Sequence, residues 1–316
     1  MSKRQMISVV SPVYGCKNCL CALVDAIDKA FEQSGLDWEL ILVDDRAADH
    51  PWPKIVELAK KDNRVKGVRL TRNHGQHLAI WAGLEAANGD WVAVIDCDLQ
   101  DDPSVVPTLY EKAICDGVDA VVVDRGIWLD TGFRRWASHF FYWSMSNLSG
   151  IRLNQNTGNF GIYSRCLIDT LLLFRDKEVF LPVMVSLTGF SQAVLTVDRA
   201  GRHAGKTSYN LHRLVNLAIA IIVRFSDRPL KLSVIGGVFF SGLSALCSIF
   251  VLTAWALGMI EVPGWSSLIL SLWFLAGLIL AVLGVHGIYI GRIFTEVQDR
   301  PRIFVEQTTE ILNLDQ

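Results

Sequence analysis

Between Lys231 and Glu261 the sequence has no Asp, Glu, Lys or Arg, and after Glu261 the next such residue is Arg292. Each run exceeds the roughly 20 residues that carry a helix across the hydrocarbon core of a bilayer. The two runs predict transmembrane helices near Leu232 to Met259 and Ser266 to Ile290, joined by the connector "EVPGW". A buried core hairpin is the alternative, but a core helix seldom needs so long an uncharged stretch. Arg224, Arg228 and Lys231 precede the first span, Arg292, Arg300 and Arg302 follow the second, and the connector carries no base. By the positive-inside rule both termini lie in the cytoplasm, which predicts a multi-pass protein of the cytoplasmic membrane with a large cytosolic N-terminal part.

At 316 residues, 51% of them hydrophobic, the chain is long enough for two domains and too apolar to be wholly soluble. The N-terminal "MSKRQMISVVSPVYG" has an apolar stretch too short for a signal peptide, so targeting is expected to rest on the hairpin. Seven cysteines suit a reducing compartment. Cys16, Cys19 and Cys21 have partial zinc-like spacing, but no second pair follows at finger distance, and they read as buried or helix-start thiols. The net charge of −2, with no long basic tract in the N-terminal part, gives no support to a nucleic-acid partner.

Strand-like runs "ISVVSPVY", "ELILVDD", "VKGVRL", "WVAVID" and "DAVVVD" alternate with helical stretches at 17–34, 53–62, 76–88 and 103–116. This rhythm predicts an α/β fold with a largely parallel sheet and helices on both faces. Ligands of such sheets bind beyond the carboxyl ends of the strands. Those ends bring Tyr14, Asp44, Asp45, Arg72, Asp96, Asp98 and Arg125 to one rim. Neither GxGxxG nor GxxxxGK[ST] occurs, so a Rossmann dinucleotide site and a P-loop are unsupported. In "WVAVIDCDLQDDP", Asp96, Asp98, Asp101 and Asp102 put four carboxylates within seven positions. Such crowding raises carboxylate pKa values and costs stability unless a cation neutralises it, so a divalent metal is the simplest explanation. An ordinary strand end and helix cap, with Pro103 in the first turn, is the alternative for Asp101 or Asp102.

"SPVYG", "VDD", "TRNHGQHLAIWAGLEAANGDWVAVIDCDLQDDP", "GNFGIYSR" and "GRHAGKTSY", followed by two spans and "GRIFTEVQDRP", resemble the family 2 inverting glycosyltransferases of GT-A fold. More closely, the ordered set resembles their polyprenyl-phosphate branch, which includes dolichyl-phosphate mannose synthases and bacterial enzymes that load sugars onto undecaprenyl phosphate. The resemblance covers nearly the whole chain. It implies a GT-A catalytic domain at 1–210, an amphipathic interfacial helix at 211–230, the hairpin at 231–291 and a cytosolic tail at 292–316.

The resemblance also implies roles. The family's DxD motif falls on Asp96 and Asp98, with Gln100 completing the ligand set for Mg²⁺ or Mn²⁺, as suits hard oxygen donors that share the ion with substrate phosphates. Such an ion acts as a Lewis acid on the departing diphosphate. Pro12, Tyr14, Asp44 and Asp45 match the base-and-ribose pocket, although paired acids are also common at a plain βα turn. Arg72 is expected to face the diphosphate, with an N-cap by Asn73 as the alternative reading of "TRNHG". Arg125, Arg135 and Ser138 match acceptor-phosphate positions. With Arg134 they lead into an aromatic-rich segment suited to an interfacial helix, or alternatively a buried one. Arg202 and Lys206 match a loop that closes over the donor and excludes water.

Where relatives read close to "DTGDFR", this chain reads "NTGNFG", so Asn156 and Asn159 replace acids and Gly161 replaces an arginine. Transfer to a sugar hydroxyl would then lack a general base, with Asp101 or Asp102 left to serve. A phosphate monoester has a second pKa of about 6 and attacks without losing a proton, so asparagine at 159, near the acceptor, is tolerable. The expected activity is metal-dependent, inverting transfer of a sugar from a nucleotide diphosphate sugar to polyprenyl phosphate at the cytosolic leaflet. Transfer to a hydroxyl of a lipid-linked saccharide and a non-catalytic sugar-nucleotide-binding subunit are the alternatives. A processive synthase is disfavoured because "GFRRW" lacks the glutamine of QxxRW. Gly236, Gly237 and Gly242 suit helix packing, either in a homo-oligomer such as a tetramer or within one chain.

Overall fold

The structure is a computed structural model of the chain and describes residues 5–32, 34–124, 157–177, 179–197, 228–257 and 264–310. The chain forms two compact units, one of Met1–Arg135, Ile151–Lys206 and Arg300–Gln316, the other of Trp136–Gly150 and Thr207–Asp299.

The first unit begins with β1 (Met6–Val13), α1 (Leu20–Glu32), β2 (Asp37–Asp44), α2 (Trp52–Lys61), β3 (Val65–Leu70), α3 (Gln76–Ala86), β4 (Trp91–Val94), α4 (Val105–Asp116) and β5 (Ala120–Asp124). It continues with β6 (Thr157–Ser164), α5 (Arg165–Leu172), α6 (Leu181–Thr188), β7 (Gln192–Thr196) and, from the far end of the chain, β8 (Val305–Thr308). The eight strands make one sheet in the order β7-β5-β6-β4-β1-β2-β3-β8. Strands β1 and β2 read as near-continuous apolar runs because helices cover both of their faces. One core cluster gathers Ile7, Val9, Leu40 and Leu42 with Leu23 and Ile27 of α1, and the other gathers Val10, Ile41 and Val43 with Ile80 and Trp81 of α3. Helix α3 lies close on the sheet because residue 83 is glycine: a Cβ there would stand 2.3 Å from Val10 Cγ1.

Four pairings are parallel, β1 with β2 and β4, β2 with β3, and β5 with β7. The antiparallel ones involve β6, inserted between β4 and β5, and β8 on β3. The alternating pattern of residues 6–124 therefore reads correctly, but β5 is not the direct neighbour of β4. A tail at 292–316 is also an incomplete reading, because part of it is an edge strand. The Thr71 N–H donates to Phe304 O at 2.9 Å, and the Gly67 N–H donates to Thr309 Oγ1 at 2.9 Å. The Arg302 guanidinium lies 4.5 Å over the Trp81 ring and donates to the Phe174 carbonyl.

The second unit contains α7 (Arg228–Ala256) and α8 (Trp265–Val297). Both are long and apolar enough to cross a membrane, over Leu230–Val251 and Ser271–Val297. Phe239, Phe250, Trp273 and Leu280 are exposed, and none of either window is buried. A core hairpin would bury these side chains, so their exposure fits the membrane-spanning reading better than the soluble-core one. A Cβ at Gly236, Gly237 or Gly242 would meet nothing within 4 Å, so these glycines serve no close packing contact among the described residues. Residues 228–230, read from sequence as the end of an interfacial helix, are continuous with the first span; 211–227 lie outside the described residues.

Candidate active site

The parallel register of β1, β2, β3 and β4 brings their carboxyl ends to one edge of the sheet. Pro12 is buried within β1, paired with Val43. Tyr14, just past the strand, is 61% exposed and precedes Gly15, whose φ of 73° turns the chain in a conformation glycine favours.

Asp44 closes β2 with only 1% of its surface exposed. It accepts a hydrogen bond from Ala47 N at 3.2 Å, and Arg69 Nε stands 3.4 Å away without hydrogen-bond geometry. Burial pushes its carboxyl pKa above the ordinary value, with the Ala47 bond and Arg69 opposing. Asp45 is 3% exposed and accepts from His74 N at 2.7 Å and Gly75 N at 2.8 Å. Burial raises its pKa too, against these two backbone donors. Asp45 thus fastens the loop before α3 onto the end of β2. Asn73 does not cap α3; it accepts from Gly75 N at 3.0 Å inside the same loop, and Gly75 itself is the N-cap.

An amide at position 45 would turn one acceptor into a donor that faces either His74 N–H or Gly75 N–H, of which Gly75 N–H keeps only its bond to Asn73 Oδ1. Asp45→Asn is therefore expected to lower stability by about 1–3 kcal/mol, read as a fall in Tm. Beside this loop His74 Nε2 is buried without a hydrogen-bond partner, and burial followed by repulsion from Arg72 holds the imidazole below its ordinary pKa. Arg72 is exposed and pairs with no carboxylate among the described residues.

Past β4, Asp96 is half-buried and its Oδ1 accepts from Gln76 Nε2 at 2.7 Å. Gln76 opens α3 and did not stand out in the sequence; the signal was its place on the next strand-end loop of the same rim. Asp98 is exposed and its Oδ1 accepts from Gln100 N at 3.1 Å across Leu99, whose φ of 58° is unusual for a bulky residue. Asp102 Oδ1 accepts from Ser104 N at 2.9 Å, so the helix-start role falls on Asp102, while Asp101 is buried. Among the described residues no group of three or more His, Cys, Asp or Glu side chains could hold a metal ion. A rim with two hard carboxylates fits an ion that takes its remaining oxygens from a bound diphosphate and water, which is the common magnesium arrangement.

Strand β6 sets Gly161 opposite Val94 and Val122, so Asn159 lies two residues further toward the rim, half-buried. A Cβ at Gly161 would come 2.9 Å from Val121 O, so this backbone takes no larger residue without shifting. The cysteine reading needs correction: Cys16 and Cys97 are joined in a disulfide, while Cys19 and Cys21 are free. Arg125, Arg134, Arg135, Ser138, Asn156, Arg202 and Lys206 lie outside the described residues.

The sequence matches the profile described as Glycosyl transferase family 2 over residues 8–169. It is 33% identical over 317 residues, 99% of this chain and 97% of the relative, to an "Uncharacterized glycosyltransferase YkcC" of Bacillus subtilis. It is 33% identical over 311 residues, 96% of this chain and 94% of the relative, to an undecaprenyl-phosphate 4-deoxy-4-formamido-L-arabinose transferase of Aeromonas hydrophila. The like-named transferase of Salmonella paratyphi B is 32% identical over 308 residues, 95% of this chain and 93% of its own. Among solved structures, mannosyltransferase PcManGT of Pyrobaculum calidifontis, in complex with GDP-Man and Mn²⁺, aligns with a TM-score of 0.48 and 15% identity over 95% of this chain and 89% of that one. A profile match over half the sequence, on strands that build the rim, and relatives aligned from end to end mean that the chain belongs to glycosyl transferase family 2.

Proposed function

We propose that the protein transfers a sugar from a nucleotide diphosphate sugar to a polyprenyl phosphate at the cytoplasmic face of the membrane, with inversion at the anomeric carbon. The observation that carries this reading is the end-to-end alignment with undecaprenyl-phosphate sugar transferases, which includes both apolar helices as well as the catalytic sheet. A water-insoluble acceptor requires an enzyme held at the bilayer, and exposed apolar helices suit that requirement.

In this reading Tyr14 packs against the donor's base, Asp44 accepts from base or ribose donors, and Pro12 and Asp45 hold the pocket's walls. Arg72 and Lys206 face the diphosphate, and Arg202 meets the charge that grows as the sugar–phosphate bond breaks. Asp96, Asp98 and Gln100 are the ligands for Mg²⁺ or Mn²⁺, which when bound supplies positive charge beside the leaving diphosphate. Arg125, Arg134, Arg135 and Ser138 hold the acceptor phosphate, and Asn159 stands near it without adding negative charge. The domain limits 1–210, 211–230, 231–291 and 292–316 belong to the same proposal, amended by the return of β8 to the sheet.

The absent acid at Asn159 gives the test. Purified enzyme, given short-chain polyprenyl phosphate and a panel of nucleotide sugars, is expected to form a lipid-phosphate sugar. Its rate should rise as pH passes about 6, the monoester's second pKa, and then level. Transfer only to a hydroxyl of a lipid-linked saccharide, abolished by Asp101→Asn, would overturn the phosphate acceptor.

A further inference from the structure

We propose that Cys16 and Cys97 are a reversible dithiol–disulfide pair, a modification site that sets how firmly the donor-binding rim is held. Cys97 is the residue between Asp96 and Asp98, and Cys16 ends the turn that carries Tyr14 and Gly15. They follow neighbouring parallel strands, β4 and β1, whose register carries both chains out of the sheet side by side. Their Cα atoms are 6.4 Å apart, within the span a disulfide bridges, and the two residues are 7% and 6% exposed inside one core cluster.

Cys97 is buried in a turn between half-buried Asp96 and exposed Asp98, so fixing it against Cys16 restricts how far the two carboxylates, which line the donor site under the function proposed above, can move. The like charges of the two carboxylates work against that arrangement in the empty site. The covalent tie opposes this relaxation, and it also couples the carboxylate turn to the Tyr14 turn. Opening the bond leaves both turns intact and uncoupled. The other cysteines, among the described residues, are free, and Cys21, Cys115, Cys166 and Cys247 are exposed.

The chemistry is thiol–disulfide exchange. Two thiols reduce one small-molecule disulfide, such as glutathione disulfide, to two thiols, losing two protons and two electrons as the Cys16–Cys97 bond forms; a dithiol reverses it.

The test uses the full-length enzyme in detergent or nanodiscs, equilibrated with glutathione disulfide or with dithiothreitol, then alkylated under denaturing conditions. Oxidised enzyme should leave two of the seven cysteines unalkylated and yield a peptide linking Cys16 to Cys97. Reduction should lower Tm by roughly 5–10 °C. It should also raise the donor KM about fivefold while kcat changes less than twofold. Cys16→Ser and Cys97→Ala should each reproduce the reduced values and abolish the redox response, whereas Cys19→Ser should keep it. Full alkylation after oxidation, absence of the linked peptide, or a redox response that persists in Cys97→Ala overturns the proposal. The linked peptide is read without any transfer assay, so failure of the proposed function would leave this readout intact.

Discussion

Asp98→Asn is expected to reduce metal-dependent transfer by about 10²–10³-fold, the loss typical when a group that stabilises transition-state charge is removed. The melting temperature should stay the same or rise slightly. Asp98 is exposed and its one described bond, from Gln100 N at 3.1 Å, can also be accepted by an amide oxygen. The change removes a negative charge from a segment where Asp96, Asp98, Asp101 and Asp102 crowd together, so the empty protein is relieved of repulsion. Activity and stability therefore move in opposite directions, which a folding defect does not produce. Transfer assays across Mg²⁺ and Mn²⁺ titrations, paired with thermal unfolding, check this. Wild-type rates at saturating metal would remove Asp98 from the ligand set.

Removal of Arg300–Gln316 is expected to be at least as damaging, through the fold. The deletion takes β8 off β3, and with it the Gly67–Thr309 bond and the bond from Lys177 Nζ to Arg300 O. It also takes the Arg302 contact with Trp81 and the ion pairs Arg46–Glu306 at 2.9 Å and Lys66–Glu310 at 2.6 Å. Each backbone bond contributes on the order of 1 kcal/mol and the exposed ion pairs less, so the sum is several kcal/mol of a domain's total of about 5–15. The truncated protein should unfold at least 10 °C lower or aggregate through the bared edge. Glu306→Gln separates strand from charge: it keeps β8 and removes only the partly exposed pairing with Arg46 and Arg69, so its Tm should change by no more than a few degrees. A truncation as mild as Glu306→Gln would show that the strand is dispensable.

Residues 6–124 were legible because their information is local. Buried parallel strands read as apolar runs, and the helices between them carry periodic faces such as Leu20, Leu23, Ile27 and Phe31. The rim was legible for the same reason, since topology alone fixes where strand ends go. What escaped depends on distant partners. "TGNFGIYS" is the β6 strand, but nothing in it names β4 and β5 as neighbours, and "VEQT" is short, polar and an edge strand. The anchoring of the loop before α3 by Asp45 was not visible because its two backbone donors lie 29 and 30 positions away. The Cys16–Cys97 pairing, 81 positions apart, needed the adjacency of β1 and β4, which the alternation of elements does not specify.

The return of β8 has a consequence for how the protein is made. Gly67 and Thr309 are 242 positions apart, and both apolar helices are encoded between them. A ribosome delivers Val305–Thr308 only after both apolar helices have been translated, so β3 waits as an open sheet edge until then. The sheet is sealed by residues that emerge after both apolar helices. Completion of the sheet is thereby ordered behind synthesis of the two apolar helices, and a chain stalled or clipped before Arg300 is left with an unfinished sheet, exposed to quality-control proteases.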